Sequence, residues 1–212
     1  MNFDAQFMPT NRLEAFSDGV YAIAITLLVL ELDIHEAPGR LLEGLAGAWP
    51  SFLAYLVSFA FIGGSWLAHT KLTRLLTAAD NILLGLNLLL LLFVAFLPFT
   101  TAVLGEHLNG SGQRVAVIVF GANLTLATAL GAVLCSYVVR EENLVSDGAQ
   151  PELRKLTLHR WSWAALWAAS TIVGAFWPVV ALFLYVITSV GGLILLEPLQ
   201  LLRHRRNRLA SR

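Results

Sequence analysis

Six stretches of this chain run apolar for about the twenty residues that a helix needs to cross roughly 30 Å of hydrocarbon, and that length limits the fold before anything else does. They cover residues 16–34, 49–70, 82–104, 115–139, 161–177 and 179–202. Helix breakers stand between them: Pro38 and Gly39, Pro50, the Asn109-Gly110-Ser111-Gly112 turn, Asp147-Gly148, Pro151 and Pro178. Runs five and six are separated by little more than Trp177-Pro178, which predicts a tight helical hairpin. In lipid every backbone group must find a partner within its own helix or around a closed barrel. The runs lack period-two alternation and far exceed the length of barrel strands, which excludes the barrel. The sequence predicts an all-α polytopic membrane protein, with 1–212 forming a single six-span domain and no room for a soluble one.

Composition agrees, since only 13% of residues are charged and 57% are hydrophobic, with a mean hydropathy of +0.71. Soluble domains carry about a quarter charged residues. Formal net charge is zero, so charge acts here by position. If both termini are cytoplasmic, the inner segments hold Arg12, Lys71, Arg74, Arg140, Arg154, Lys155, Arg160, Arg203, Arg205, Arg206, Arg208 and Arg212, against Arg40 and Arg114 outside. That asymmetry fixes the expected orientation and requires an even number of spans. The basic tail is expected to anchor topology against anionic lipid. The N-terminus lacks the basic region of a signal peptide, and the first run ends on Glu31 and Asp33 rather than a cleavage site, so the segment is expected to be retained. The single cysteine, Cys135, lies within an apolar run and implies no disulfide.

Several kinds of chemistry have no footing. His35, His69, His107, His159 and His204 fall in different segments without ligand spacing, so no metal or other cofactor is expected. No GxSxG, no P-loop and no paired carboxylates within a run support an enzyme, and no nucleic-acid partner is implied. Thr188-Ser189-Val190-Gly191-Gly192 has a superficial likeness to the TVGYG filter of ordinary potassium channels. It lacks the tyrosine and continues into an apolar helix, and adjacent glycines in a span more often mark a close helix contact.

The polar head of the first run is different. Arg12, Ser17 and Asp18 stand in the turns leading into an apolar helix, where lipid makes unpaired charge costly. Ile23, Leu27 and Leu30 follow i, i+4, i+7 spacing and share one face, continued by Gly19 and Phe16. Asp18 lies off that stripe, and six residues from Arg12 it is close to the opposite side of the helix, so the two need partners from elsewhere. Trp66 and His69, at i and i+3 in the second run, offer an indole N–H and an imidazole on one face. A plainer reading competes, in which Arg12 reaches lipid headgroups and Ser17 or Asp18 caps the helix.

Arg12-x-x-x-Phe16-Ser17-Asp18-Gly19, running into the apolar helix, closely resembles the RxxxFSD signature on the first span of bacterial homologues of transmembrane protein 175, the endolysosomal potassium channel family. Trp66 and His69 in the second span, and the Asn87 to Pro98-Phe99 pattern in the third, support the resemblance, which is weak in spans four to six. It implies a homotetramer in a bacterial inner membrane, with four copies of span one lining a pore that lacks the TVGYG filter. Carried over by position, Ile23 is the narrowest ring, Leu27 and Leu30 form further apolar rings, and Thr26 is a polar group close to the constriction. Arg12, Ser17, Asp18, Trp66 and His69 would form a network that sets the angle of span one. Glu31 and Asp33, repeated fourfold, would attract cations at the outer mouth, although an ordinary polar helix end explains them as well. Permeant species would be potassium and other monovalent cations, with modest selectivity governed by hydration and ring diameter. A secondary transporter of a small cation or solute is the rival reading, and it would call for an ionisable midplane element that the sequence lacks; a purely structural partner would need only the apolar faces.

Overall fold

The computed structural model describes residues 8–32 and 41–195. Within these, the chain is helical from end to end, joined by short turns. Helix α1 spans Thr10–Leu27 and finishes in a 3₁₀ turn, Leu28–Glu31. A short exposed helix, α2 (Leu41–Gly47), leads into α3 (Trp49–Thr73). Then follow α4 (Asn81–Ala95), α5 (Leu97–His107), α6 (Gln113–Arg140), α7 (Gln150–Phe176) and α8 (Pro178–Leu195). The far end of the first run with Asp33 and His35, the Pro38-Gly39 breaker, Arg40, and the sixth run past 195 with His204 and the basic tail lie outside the described residues.

Four helical segments among the described residues are long and apolar enough to cross a membrane: Thr10–Glu31, Trp49–Thr73, Asn81–His107 and Gln113–Arg140. Helix α8 is apolar but shorter over Pro178–Gly192, and α7 opens on charged residues. The architecture is that of an all-α polytopic membrane protein.

Two boundaries and the place of one charge differ from the sequence reading. The run at 82–104 is broken at Phe96, because Pro98 stands in the first turn of α5 and has no N–H for the helix before it. The helix expected from 161 begins instead at Gln150. Pro151 opens it rather than stopping it, since proline is tolerated in the first helical turn, and the added turns carry exposed Glu152, Arg154 and Lys155. Arg160, read as a loop charge, is a correction: it lies within α7 and is 5% exposed.

Helix α6 is the axis of the bundle, packed against α4, α5, α7 and α8. Its Phe120 and Leu124 are fully buried. Gly121 leaves space that any Cβ would fill, and the Tyr185 ring of α8 occupies it; the Tyr185 hydroxyl donates to the Val117 carbonyl at 3.1 Å. Phe61, Trp167 and Tyr185 continue the aromatic layer through ring contacts of 5.5 Å. Trp177 alone separates α7 from α8, which pack together as a hairpin.

The turns near one end of the bundle are tied by main-chain bonds. Met8 and Ala79 exchange a pair at 2.8 and 2.9 Å, Thr77 N–H donates to Leu144, and Ser146 N–H donates to Leu75. Asp80 caps α4 by accepting from the Leu83 N–H at 2.8 Å, while its other oxygen accepts a hydrogen bond from the Tyr137 hydroxyl.

Candidate functional site

Helix α1 has two unlike faces. Leu13, Ser17, Tyr21 and Ala24 are buried on the side packed against α3 and α4, and Leu28 is buried in the 3₁₀ turn that packs on α3 and α5. Ile23, Leu27 and Leu30 stand on the opposite side, 60%, 41% and 73% exposed, with Phe16 and Gly19 in line beneath them. A single chain thus leaves an apolar stripe on this helix uncovered, although large apolar side chains gain most from being removed from water. The 3₁₀ finish sharpens the stripe, since three residues make a full turn and Leu30 stacks over Leu27. The exposed arc is broader than the stripe alone: Ala22 and Val29, on its flank, are also exposed.

Polar contacts hold α1 on its buried side and at one edge, in two separate groups. In the first, the Asn87 amide of α4 donates to Ser17 Oγ at 3.0 Å, and its oxygen accepts from His69 Nε2 of α3 at 2.8 Å. All three residues are buried, Ser17 at 0%, Asn87 at 3% and His69 at 2% exposed. His69 also lies against the Tyr21 ring, centroids 5.7 Å apart, and the Tyr21 hydroxyl meets Ser65 Oγ at 3.0 Å. In the second group, Trp66 Nε1 donates to Asp18 Oδ1 at 2.8 Å in an exposed position. A carboxylate acceptor makes this bond stronger than a neutral one.

These contacts bring together Ser17 with His69, and Asp18 with Trp66. They do not bring in Arg12, which is exposed and has no hydrogen bond or ion pair to a described residue. By 100° per residue Arg12 falls on the line of Phe16, Gly19 and Ile23, not on the side of Asp18. Thr26 is exposed beside the stripe, and its hydroxyl proton is directed back to the Ala22 and Ile23 carbonyls at 3.0 and 2.9 Å. Its oxygen lone pairs are therefore what it presents outward. Glu31 is half-buried at the end of the 3₁₀ turn, and Asp33 lies outside the described residues. Asn87 is the residue that sequence reasoning left out of the network. A single carboxamide within Asn87-Leu-Leu-Leu-Leu-Leu is the signal that marks it, because a buried amide demands partners.

The Thr188 to Gly192 stretch is continuous helix in α8: Thr188 bonds back to the Leu184 carbonyl, and Gly191 packs on Trp163. The contact reading of its glycines therefore describes what the chain does.

Comparison with known proteins places these features in company. The sequence model of the endosomal/lysosomal potassium channel TMEM175 matches residues 12–98, the stretch that carries both polar groups. A potassium channel of Streptomyces collinus is 35% identical over 170 residues, 79% of this chain and 82% of that protein. A potassium channel of Chamaesiphon minutus is 46% identical over 126 residues, covering 57% of this chain and 61% of the relative. The chicken endosomal/lysosomal proton channel TMEM175 is 38% identical over 117 residues, which span only 23% of its length. The crystal structure of a lysosomal potassium-selective channel TMEM175 homolog from Chamaesiphon minutus superposes with a TM-score of 0.81 at 29% identity, over 89% of this chain and 98% of that one.

Proposed function

The chain belongs to the endosomal/lysosomal potassium channel TMEM175 family, and on that premise we propose that it conducts potassium through a pore lined by α1 from four copies. It is an ion channel and not an enzyme. The carrying observation is the uncovered stripe of Ile23, Leu27 and Leu30. Four such stripes facing one axis would cover each other's apolar surface and enclose a narrow lumen, with Ile23 its tightest ring. Leu27 and Leu30 follow at roughly 6 and 10 Å along the axis.

In this assembly α7 and α8 are the fifth and sixth spans, both termini face the cytoplasm, and the membrane is the bacterial inner membrane. An ion passing Ile23 gives up hydration water to apolar walls, and potassium does so at lower cost than sodium, so selectivity is modest and rests on hydration. Thr26 offers outward oxygen lone pairs beside the constriction. Glu31 and Asp33 concentrate cations at the outer mouth. Ser17, Asn87 and His69, with Asp18 and Trp66, fix rotation of α1 about its axis; a turn of about 100° would take Ile23 out of the lumen. Ala22 and Val29, on the flank of the exposed arc, face the neighbouring copy.

The test is flux of the purified protein in liposomes. Downhill potassium current without stoichiometric coupling to a second solute is expected. Transport locked to a co-substrate, or no flux from protein that is tetrameric by mass, would overturn the reading.

A further inference from the structure

Arg160 is a cation without a counterion among the described residues. It is 5% exposed on α7, and among the described residues neither its Nε nor Ser189 Oγ on α8, 3% exposed, has a hydrogen-bond partner. Both side chains line one cavity of about 60 Å³ between α3, α6, α7 and α8. None of the described residues lining it is acidic. A buried guanidinium is costly unless something compensates it, and the fold makes a place for this one. Gly131 on α6 lies against the guanidinium so closely that an added Cβ would collide with Nη1.

The donors that converge there suit an oxyanion. Arg160 presents a planar fork matched to two oxygens, and Ser189 adds a free hydroxyl. His159 also lines the cavity, and its Nε2 accepts from Trp163 Nε1 at 2.6 Å, so its proton is on Nδ1. Thr128 and Thr188 spend their protons on helix carbonyls. The volume is several times the roughly 10–15 Å³ that admit one water, enough for one tetrahedral oxyanion and far too little for a nucleotide. We propose that this cavity is a binding site for one phosphate group, supplied either as inorganic phosphate or as the headgroup of an acidic phospholipid. The site reaches α1 as well, since the lining Ser65 holds the Tyr21 hydroxyl.

The experiment is thermal unfolding of the purified full-length protein. In detergent, millimolar inorganic phosphate is compared with chloride at equal ionic strength; in nanodiscs, phosphatidylglycerol mixtures are compared with phosphatidylcholine alone. Arg160→Met removes the charge at similar volume, Gly131→Ala displaces the guanidinium without removing it, and Ser189→Ala is the mild variant should either fail to fold. The wild type is expected to gain roughly 2 to 4 °C at saturating ligand, and the variants to lose that gain. Protection by phosphate in detergent identifies the free anion, and protection confined to phosphatidylglycerol nanodiscs identifies the lipid headgroup; either supports the site. Equal shifts in wild type and Arg160→Met, or no wild-type shift in any medium, would overturn it. Glu197, the acidic residue of 196–212, is the rival occupant. A phosphate response that emerges only in Glu197→Gln would show the chain filling the cavity itself and would also overturn the proposal.

Discussion

His69 Nε2 and Asn87 Oδ1 lie 2.8 Å apart inside the bundle, and the same carboxamide reaches on to Ser17, so one side chain of α4 joins α3 to α1. Asn87→Leu leaves a buried imidazole N–H and a buried hydroxyl without partners, and orphaned groups of this kind cost about 1–3 kcal/mol each. The variant is expected to unfold at lower temperature and to yield less tetramer. A double-mutant cycle with His69→Phe should be strongly non-additive, because the second change removes one of the orphans. Additive losses would mean that the two side chains act independently.

Cysteines at Ile23, Leu27 and Leu30 should react readily with small water-soluble thiol reagents in the assembled protein. Those at Ala24 and Leu28, 2% and 0% exposed, should not. The native Cys135 is fully buried, so the wild type serves as its own blank. Comparable labelling of both faces would remove α1 from the pore.

Asp18→Asn weakens and Trp66→Phe removes one charge-assisted bond that lies off the Ile23, Leu27 and Leu30 stripe. Both should lower assembly or current while leaving the potassium to sodium permeability ratio within experimental scatter. The exposed position keeps the loss well short of what a buried ion pair would show. A change in the ratio alone, with tetramer and current intact, would place Asp18 in the ion path.

Ile23→Asn keeps nearly the same side-chain length but adds an amide that can replace water around an ion. The barrier should fall for every monovalent cation, and most for tightly hydrated sodium, so current rises and the permeability ratio moves toward one. Leu28→Asn, on the buried face, should damage folding instead. Bi-ionic recordings in planar bilayers measure both, and an unchanged reversal potential for Ile23→Asn would move the constriction to Leu27 or Leu30.

The stripe on α1 and the long apolar helices were readable from period and length, because a residue's own neighbours decide them. What the sequence concealed depends on contacts distant in the chain. Asn87 stood out among leucines, yet its partner Ser17 is 70 residues away, and no spacing rule links the two. The six-residue spacing already set Arg12 and Asp18 on different sides of the helix, but it did not show that Trp66, 48 residues on, would partner Asp18 alone. Arg160 read as a loop charge because it borders an apolar run; its burial depends on Gly131 of another helix, which has no side chain to obstruct it. Pro98 and Pro151 exchanged roles for a positional reason: one interrupts a ladder already running, and the other opens a new one.

The way α1 is held also sets its mechanics. Near Ser17 it is gripped by hydrogen bonds, whose strength depends on direction, whereas Leu28 further along is seated by apolar contact alone, which tolerates sliding. The helix is in effect a lever with its fulcrum near Ser17. Ile23 is about 9 Å from that point and Leu30 about 20 Å, at 1.5 Å per residue. A tilt of about 5° moves the first by about 0.8 Å and the second by about 1.7 Å, from the 1.5 Å rise per residue. In the proposed tetramer a tilt therefore displaces the Leu30 ring most and the Ile23 ring least, so the ring proposed as the narrowest is also the one least disturbed by thermal rocking.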